Sequence, residues 1–125
     1  MLQASRLYAY LPASDLARAR AFYEGKLGFT PKGELPNGVH YSFGGETGCF
    51  LYLTPNAGTN RASQAFWEVE DVEAEVAALR ARGIEFENYD YPGLKTVNGV
   101  ATGGGAKSAW FKDTEGNILA LIQSL

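Results

Sequence analysis

Lys112-Asp113-Thr114-Glu115-Gly116-Asn117 stands between two apolar runs, Ser108-Ala109-Trp110-Phe111 and Ile118-Leu119-Ala120-Leu121-Ile122. Asp bonds its own backbone, and Gly and Asn accept positive φ, so the polar stretch reads as a turn. The whole segment is therefore a β-hairpin. The same pattern occurs earlier: His40-Tyr41-Ser42-Phe43, then Gly44-Gly45-Glu46-Thr47-Gly48, then Cys49 to Thr54. Phe43 and Phe111 lie 68 positions apart, as do Gly48 and Gly116. Each hairpin also has a matching upstream half. Leu7-Tyr8-Ala9-Tyr10-Leu11 leads into Ser14-Asp15 and a helical run ending at Leu27-Gly28-Phe29. Ala65-Phe66-Trp67-Glu68-Val69 leads into Asp71 and a helical run ending at Arg82-Gly83-Ile84. Asp15 and Asp71 are 56 positions apart. The chain thus reads as two copies of strand–helix–strand–strand–strand, 7–54 and 64–122. The fold class is α+β: two βαβββ modules about a pseudo-two-fold axis, with mixed sheets curving around a cleft and helices outside.

The 125 residues suit one domain, 1–125. An apolar content of 46 % is enough for a core. The net charge of −3 gives no basic footprint for nucleic acid. No run approaches the roughly 20 apolar residues of a membrane span. Met1 to Arg6 lack a signal-peptide apolar region. The single cysteine excludes an internal disulfide. The expectation is a cytoplasmic protein that uses neither membrane nor nucleic acid as partner.

Within the first module, Tyr8 to Leu11 reads as a strand stopped by Pro12. Asp15 or Ser14 caps a helix whose buried stripe is Leu16, Ala19 and Tyr23. A second strand is expected over Phe29–Glu34. Side chains alternate along Cys49–Thr54. Phe50, Tyr52 and Thr54 therefore share one face, and Cys49, Leu51 and Leu53 share the face that packs on helices. In the second module Asp71 caps a helix with Val72, Val76 and Leu79 inside, and Ile84–Asn88 is expected as a strand. Tyr89 to Lys107 reads as one long irregular piece, carrying Tyr89, Tyr91 and Leu94. A loop of that length is a lid, a cavity wall or a mobile segment. Gly103 to Gly105 do not make a phosphate loop, because Ala106 stands where glycine is needed and a strand follows.

The doubled module, the helix Asp15-Leu16-Ala17-Arg18-Ala19-Arg20-Ala21-Phe22-Tyr23-Glu24 and the closing Phe111-Lys112-Asp113-Thr114-Glu115-Gly116-Asn117 resemble the vicinal oxygen chelate superfamily. That group includes glyoxalases, extradiol dioxygenases, fosfomycin-resistance enzymes and bleomycin-resistance proteins. The resemblance spans Leu7 to Ile122. For its metal enzymes it implies ligands from four strands. One is a His seven residues before the first capping Asp, here Tyr8. One is a Glu in the strand closing the first module, here Tyr52. One is a His seven residues before the second capping Asp, here Gln64. The last is a Glu three residues past the Gly-Asn turn, here Ala120. A neutral phenol with a pKa of about 10 and an amide are poor ligands beside imidazole and carboxylate. The expectation is no metal, no cofactor and no catalytic residue.

An aromatic-walled cleft takes the metal's place in this reading. Tyr8 and Tyr10 share a face, as do Phe50 with Tyr52 and Gln64 with Phe66. Trp110 or its neighbour Phe111 adds a further surface, and Tyr91 comes from the long loop. Such walls suit a small aromatic or amphipathic molecule, oriented by hydroxyls and the Gln64 amide. The alternative is that these aromatics fill the core and meet each other. The resemblance points to the bleomycin-resistance branch, sequestration rather than turnover, and to a homodimer. The rival is a glyoxalase- or dioxygenase-type enzyme with ligands drawn from His40, Glu46, Glu68 and Glu115. A third reading is an interaction module with a filled cavity. His40 reads as an exposed residue at a strand start, Glu68 as a solvated charge at the cleft edge, and Cys49 as a small buried apolar residue.

Overall fold

A computed structural model describes all 125 residues. The first module runs β1 (Ala9–Ala13), α1 (Leu16–Arg20), β2 (Pro31–Leu35), β3 (Gly38–Ser42) and β4 (Gly48–Leu53). Its four strands lie in the order β1-β4-β3-β2, with β1 parallel to β4 and the others antiparallel. The second module holds β5 (Ser63–Glu68), α2 (Val72–Ala81), the short β6 (Asp90–Tyr91), β7 (Leu94–Val97), β8 (Val100–Gly103), β9 (Ala106–Lys112) and β10 (Ile118–Ser124). Its six strands lie in the order β5-β10-β9-β8-β7-β6. Here β5 is parallel to β10, and β10 is antiparallel to β9. The parallel first and last strands and the antiparallel closing hairpin recur in both modules, which is the two-module βαβββ arrangement.

Asp15 and Asp71 both cap their helices, accepting from Arg18 N at 3.0 Å and from Ala74 N at 3.1 Å. Such a side-chain acceptor satisfies an amide the helix cannot pair itself. The first helix is not uniform. After Arg20 it widens into a π turn over Ala21–Lys26, where Leu27 N donates to Phe22 O. The helix-facing sides of both sheets and the inner faces of the helices form one continuous core of 17 buried residues, including Leu11, Tyr23, Tyr41, Leu51, Phe111 and Leu121. Cys49 and Leu51 face it as alternation requires. Leu53, at the strand end, is instead exposed.

Four expectations need correction. Pro12 does not stop the first strand: it pairs in register with Tyr52, because β1 is an edge strand with no second neighbour for the missing N–H to serve. The second strand begins at Pro31 rather than Phe29. Ile84–Asn88 forms no strand; it touches β9 through a single bridge, Phe86 to Phe111, and a bond from Glu87 N to Trp110 O at 2.8 Å. Finally, Tyr89–Lys107 is not irregular, because β6, β7 and β8 fill most of it and extend the second sheet. The hairpin turn between β7 and β8 is Asn98-Gly99, both at positive φ (52° and 81°). That dipeptide is a strong hairpin signal, since a tight turn matching strand twist needs positive φ at both centres.

The hairpin turn of the second module locks onto the first. Asn117 Nδ2 donates to Pro12 O at 2.8 Å and to Asp113 Oδ2 at 2.7 Å. Tyr23 Oη donates to the same Asp113 carboxylate. Glu115 accepts from the N–H groups of Ser14 and Asp15, each at 3.0 Å.

Candidate functional site

The faces turned away from the helices carry the candidate site. On the first sheet, Tyr10, Phe50 and His40 stand in one row across β1, β4 and β3. Tyr10 stacks on Tyr52 with centroids 3.9 Å apart and lies 5.9 Å from Phe50. Gly38 makes room for this stripe: a Cβ there would fall 2.3 Å from Phe50 Cε1. On the second sheet, Phe66, Ala120 and Trp110 stand in one row across β5, β10 and β9. Between Trp110 and Phe111 the structure is unambiguous. Phe111 is buried in the core, and Trp110 points to the opposite face.

Where β1 runs beside β5, the two modules enclose a cleft of about 680 Å³. Tyr8, Tyr10, Gln64 and Phe66 all line it, joined by Phe43 and Trp67. Tyr10 and Phe66 are 63 % and 58 % exposed, large aromatic surface left open to solvent. Phe50 and Tyr52 adjoin the cleft through Tyr10 rather than lining it. Tyr91 and Trp110 are elsewhere, in a separate cluster about Tyr89, whose ring is 6.1 Å from Tyr91 and 5.5 Å from Trp110. No residue of 89–107 lines the cleft. That segment is therefore not its lid, because its strands are tied into the far side of the second sheet.

The polar lining of the cleft is sparse. Thr47 and Gln64 supply neutral groups, and Glu68 is its one charged side chain. No lysine or arginine lines it. A second concavity of about 480 Å³ lies between α2 and the β7–β8 hairpin. It has no aromatic lining, and two of its charged side chains are already engaged: Arg80 donates to Asn98 O at 3.0 Å, and Glu73 pairs with Lys107 at 3.3 Å. The first cleft is the one that leaves aromatic faces unused.

The donor set does not fit a resident metal. Tyr8, Tyr52, Gln64 and Ala120 offer two phenols, an amide and a methyl group. Ala120 is 2 % exposed between Phe66 and Trp110, with no donor atom to offer. No three His, Cys, Asp or Glu side chains are grouped so as to hold an ion. The substitutes are dispersed. Glu46 pairs with Arg6 on the surface at 3.1 Å. The Glu115 side chain is fully buried against Arg18 at 2.8 Å. Burial pushes the Cys49 thiol up to about 12, so it is no nucleophile either.

Sequence reasoning missed His40. It is not an exposed residue at a strand start: it sits mid-strand in β3, half-buried, with its ring 5.3 Å from Tyr8. Its parity with Phe50 across the ladder was the available signal.

A family model described as Glyoxalase/Bleomycin resistance protein/Dioxygenase superfamily matches residues 6–121. Among solved structures, UcmS2 superposes with a TM-score of 0.75 at 19 % identity, covering 95 % of this chain and 97 % of that one. TnmS3, an antibiotic binding protein from Streptomyces sp. CB03234, gives 0.70 at 23 % identity over 100 % and 99 %. The fosfomycin resistance protein FosX from Listeria monocytogenes, complexed with Mn(II) and sulfate, gives 0.70 at 13 % over 98 % and 91 %. At these identities the likeness establishes the fold alone. No curated protein matches the chain. No helix is long and apolar enough to cross a membrane.

Proposed function

The chain belongs to the Glyoxalase/Bleomycin resistance protein/Dioxygenase superfamily, and we propose that it binds a small aromatic or amphipathic molecule in the β1–β5 cleft without a metal. The observation that carries this reading is the cleft itself: about 680 Å³, with Tyr8, Tyr10, Phe43, Phe66 and Trp67 on its walls. That volume lies in the range of ligand sites, which are mostly apolar with a few polar groups to fix orientation. Stacking and burial against the rings supply the affinity. The Gln64 amide supplies direction. The antibiotic-binding neighbour TnmS3 shares the fold and supports sequestration as the biological outcome. Phe50 and Tyr52 belong to the same proposal through their contacts with Tyr10, and Trp110 and Tyr91 enter it as a second aromatic cluster apart from the cleft. A second copy of the chain laid on the exposed aromatic face would bury it, so a homodimer, in the cytoplasm, is part of the reading.

The test is a thermal-shift screen of aromatic metabolites and antibiotics on chelator-treated protein, repeated with Mn(II), Ni(II), Zn(II) and Fe(II). A ligand that binds only the folded state must raise the melting temperature. The reading expects a shift with organic compounds alone. Shifts that appear only with metal would favour a metal-dependent enzyme, and none at all would favour an interaction module.

A further inference from the structure

His40 is the chain's one histidine. Its Nε2 is fully buried and has no hydrogen-bond partner. Buried polar atoms without partners are rare and costly, so an orphan in a binding region asks what it is kept for. Two features surround it. At Gly48 an added Cβ would lie 3.2 Å from Nε2, 3.3 Å from Tyr8 Cδ1 and 2.5 Å from Tyr41 O, so no side chain can stand there. Tyr8 packs against the imidazole in a T-shaped contact, with the ring planes 76° apart. Tyr8 lines the cleft, is 39 % exposed and precedes Ala9, the first residue paired in β1. Tyr8, outside the strand ladder, thus touches both the cleft and the histidine that carries the orphan nitrogen.

We infer that Tyr8 is a movable cover over His40, and that His40 Nε2 is the hydrogen-bonding anchor for a neutral, planar aromatic ligand bearing a hydroxyl group. This rests on the cleft reading above and names its ligand class. Rotation of Tyr8 about χ1 opens the path, and the ligand ring takes its place beside Tyr10 and Phe50. An imidazole nitrogen can donate to a hydroxyl or accept from it. A hydroxyl suits this site better than a carboxylate, because no lysine or arginine lines the cleft and Glu68 does. An anion would be desolvated beside Glu68, while the cations Arg6 and Lys32 line the adjoining concavity on the other side of Tyr8, where Arg6 is already paired with Glu46.

With one histidine, chemical and spectroscopic readouts are single-site. Carbethoxylation by diethyl pyrocarbonate, followed at 240 nm, measures access to His40. Wild type is expected to react slowly, and Tyr8→Ala at least about tenfold faster. Equal rates would overturn the cover. Binding is then compared for p-cresol, a phenol that stays neutral at pH 7, and toluene, by the shift of the His40 imidazole C–H signals and by titration. Wild type is expected to prefer the phenol by about tenfold, the scale of one hydrogen bond to a buried group. His40→Phe should bind both alike, and His40→Gln, which keeps a polar head, should retain part of the preference. Equal binding of the two probes by wild type overturns the His40 anchor and leaves the cleft reading standing. Binding of neither overturns both.

Discussion

Glu115 and Arg18 are 97 positions apart in the chain and 2.8 Å apart in space. One belongs to the closing hairpin of the second module, the other to the helix of the first. The same carboxylate accepts from the backbone N–H groups that open that helix. The second module thus caps the helix of the first, and the hairpin turn is a clasp rather than a mere connection. Glu115→Gln keeps the shape but removes the charge from buried bonds of the strong, charge-assisted kind. It should cost about 2 kcal/mol in urea unfolding. A loss below about 0.5 kcal/mol would deny the clasp.

The clasp is also pH-sensitive. Burial pushes the Glu115 carboxyl up, but bonds from Arg18, the Asp15 N–H and Thr114 together outweigh it and hold it at about 2, against an ordinary 4.5. The folded value lies below the unfolded one. The stabilisation is therefore complete above pH 4.5 and is lost as pH falls from there towards 2. Its size is about 2 to 3 kcal/mol, with the half-exposed Arg18 keeping it at the lower end. Glu24, lowered by its bond from Arg20, acts in the same direction. Denaturant midpoints measured across this range should fall steeply for wild type and less steeply for Glu115→Gln.

Tyr23 is fully buried, and its hydroxyl meets the Asp113 carboxylate that also binds Asn117. Tyr23→Phe removes the donor and leaves Asp113 with its remaining bonds. The expected loss is about 1 to 2 kcal/mol, read by thermal or urea unfolding. Gly48→Ala should cost at least as much, because its methyl group would meet the backbone oxygen of Tyr41.

The cleft aromatics should separate binding from stability. Tyr10 and Phe66 are largely exposed. Tyr10→Ala and Phe66→Ala should each change folding stability by no more than about 1 kcal/mol. Each should weaken binding of an aromatic ligand about tenfold, since a stacked aromatic pair contributes about 0.5 to 1.5 kcal/mol beyond its area. Calorimetric titration of both variants, beside their melting curves, tests the split.

Local patterns in the sequence carried most of the fold. The two capping aspartates, the offset hairpins and the face alternation at Cys49–Tyr52 each rest on neighbours a few residues apart, and each appears in the structure. Contacts across long separations were invisible. Nothing near Glu115 announces that its partners are Ser14, Asp15 and Arg18. The β6–β8 strands were missed because Pro92-Gly93, Asn98-Gly99 and Gly103-Gly104-Gly105 read together as irregular. Taken singly, they are turns punctuating short strands. For the site, parity brought Tyr8, Tyr10, Gln64 and Phe66 to one cleft, as the structure has them. It could not say that Tyr91 and Trp110 gather about Tyr89 instead, since alternation fixes a face and not a distance along the sheet.

The central claim is a cleft that binds without metal, and the most direct measurement is metal content. Untagged protein, purified without chelator, is assayed by elemental mass spectrometry and then titrated with Ni(II), Zn(II), Mn(II) and Fe(II). The donor set of two phenols, an amide and a methyl group predicts far less than one equivalent bound and no rise in melting temperature with any of the four. One tightly held equivalent per chain would contradict the account and return the search for ligands to His40, Glu46 and Glu68.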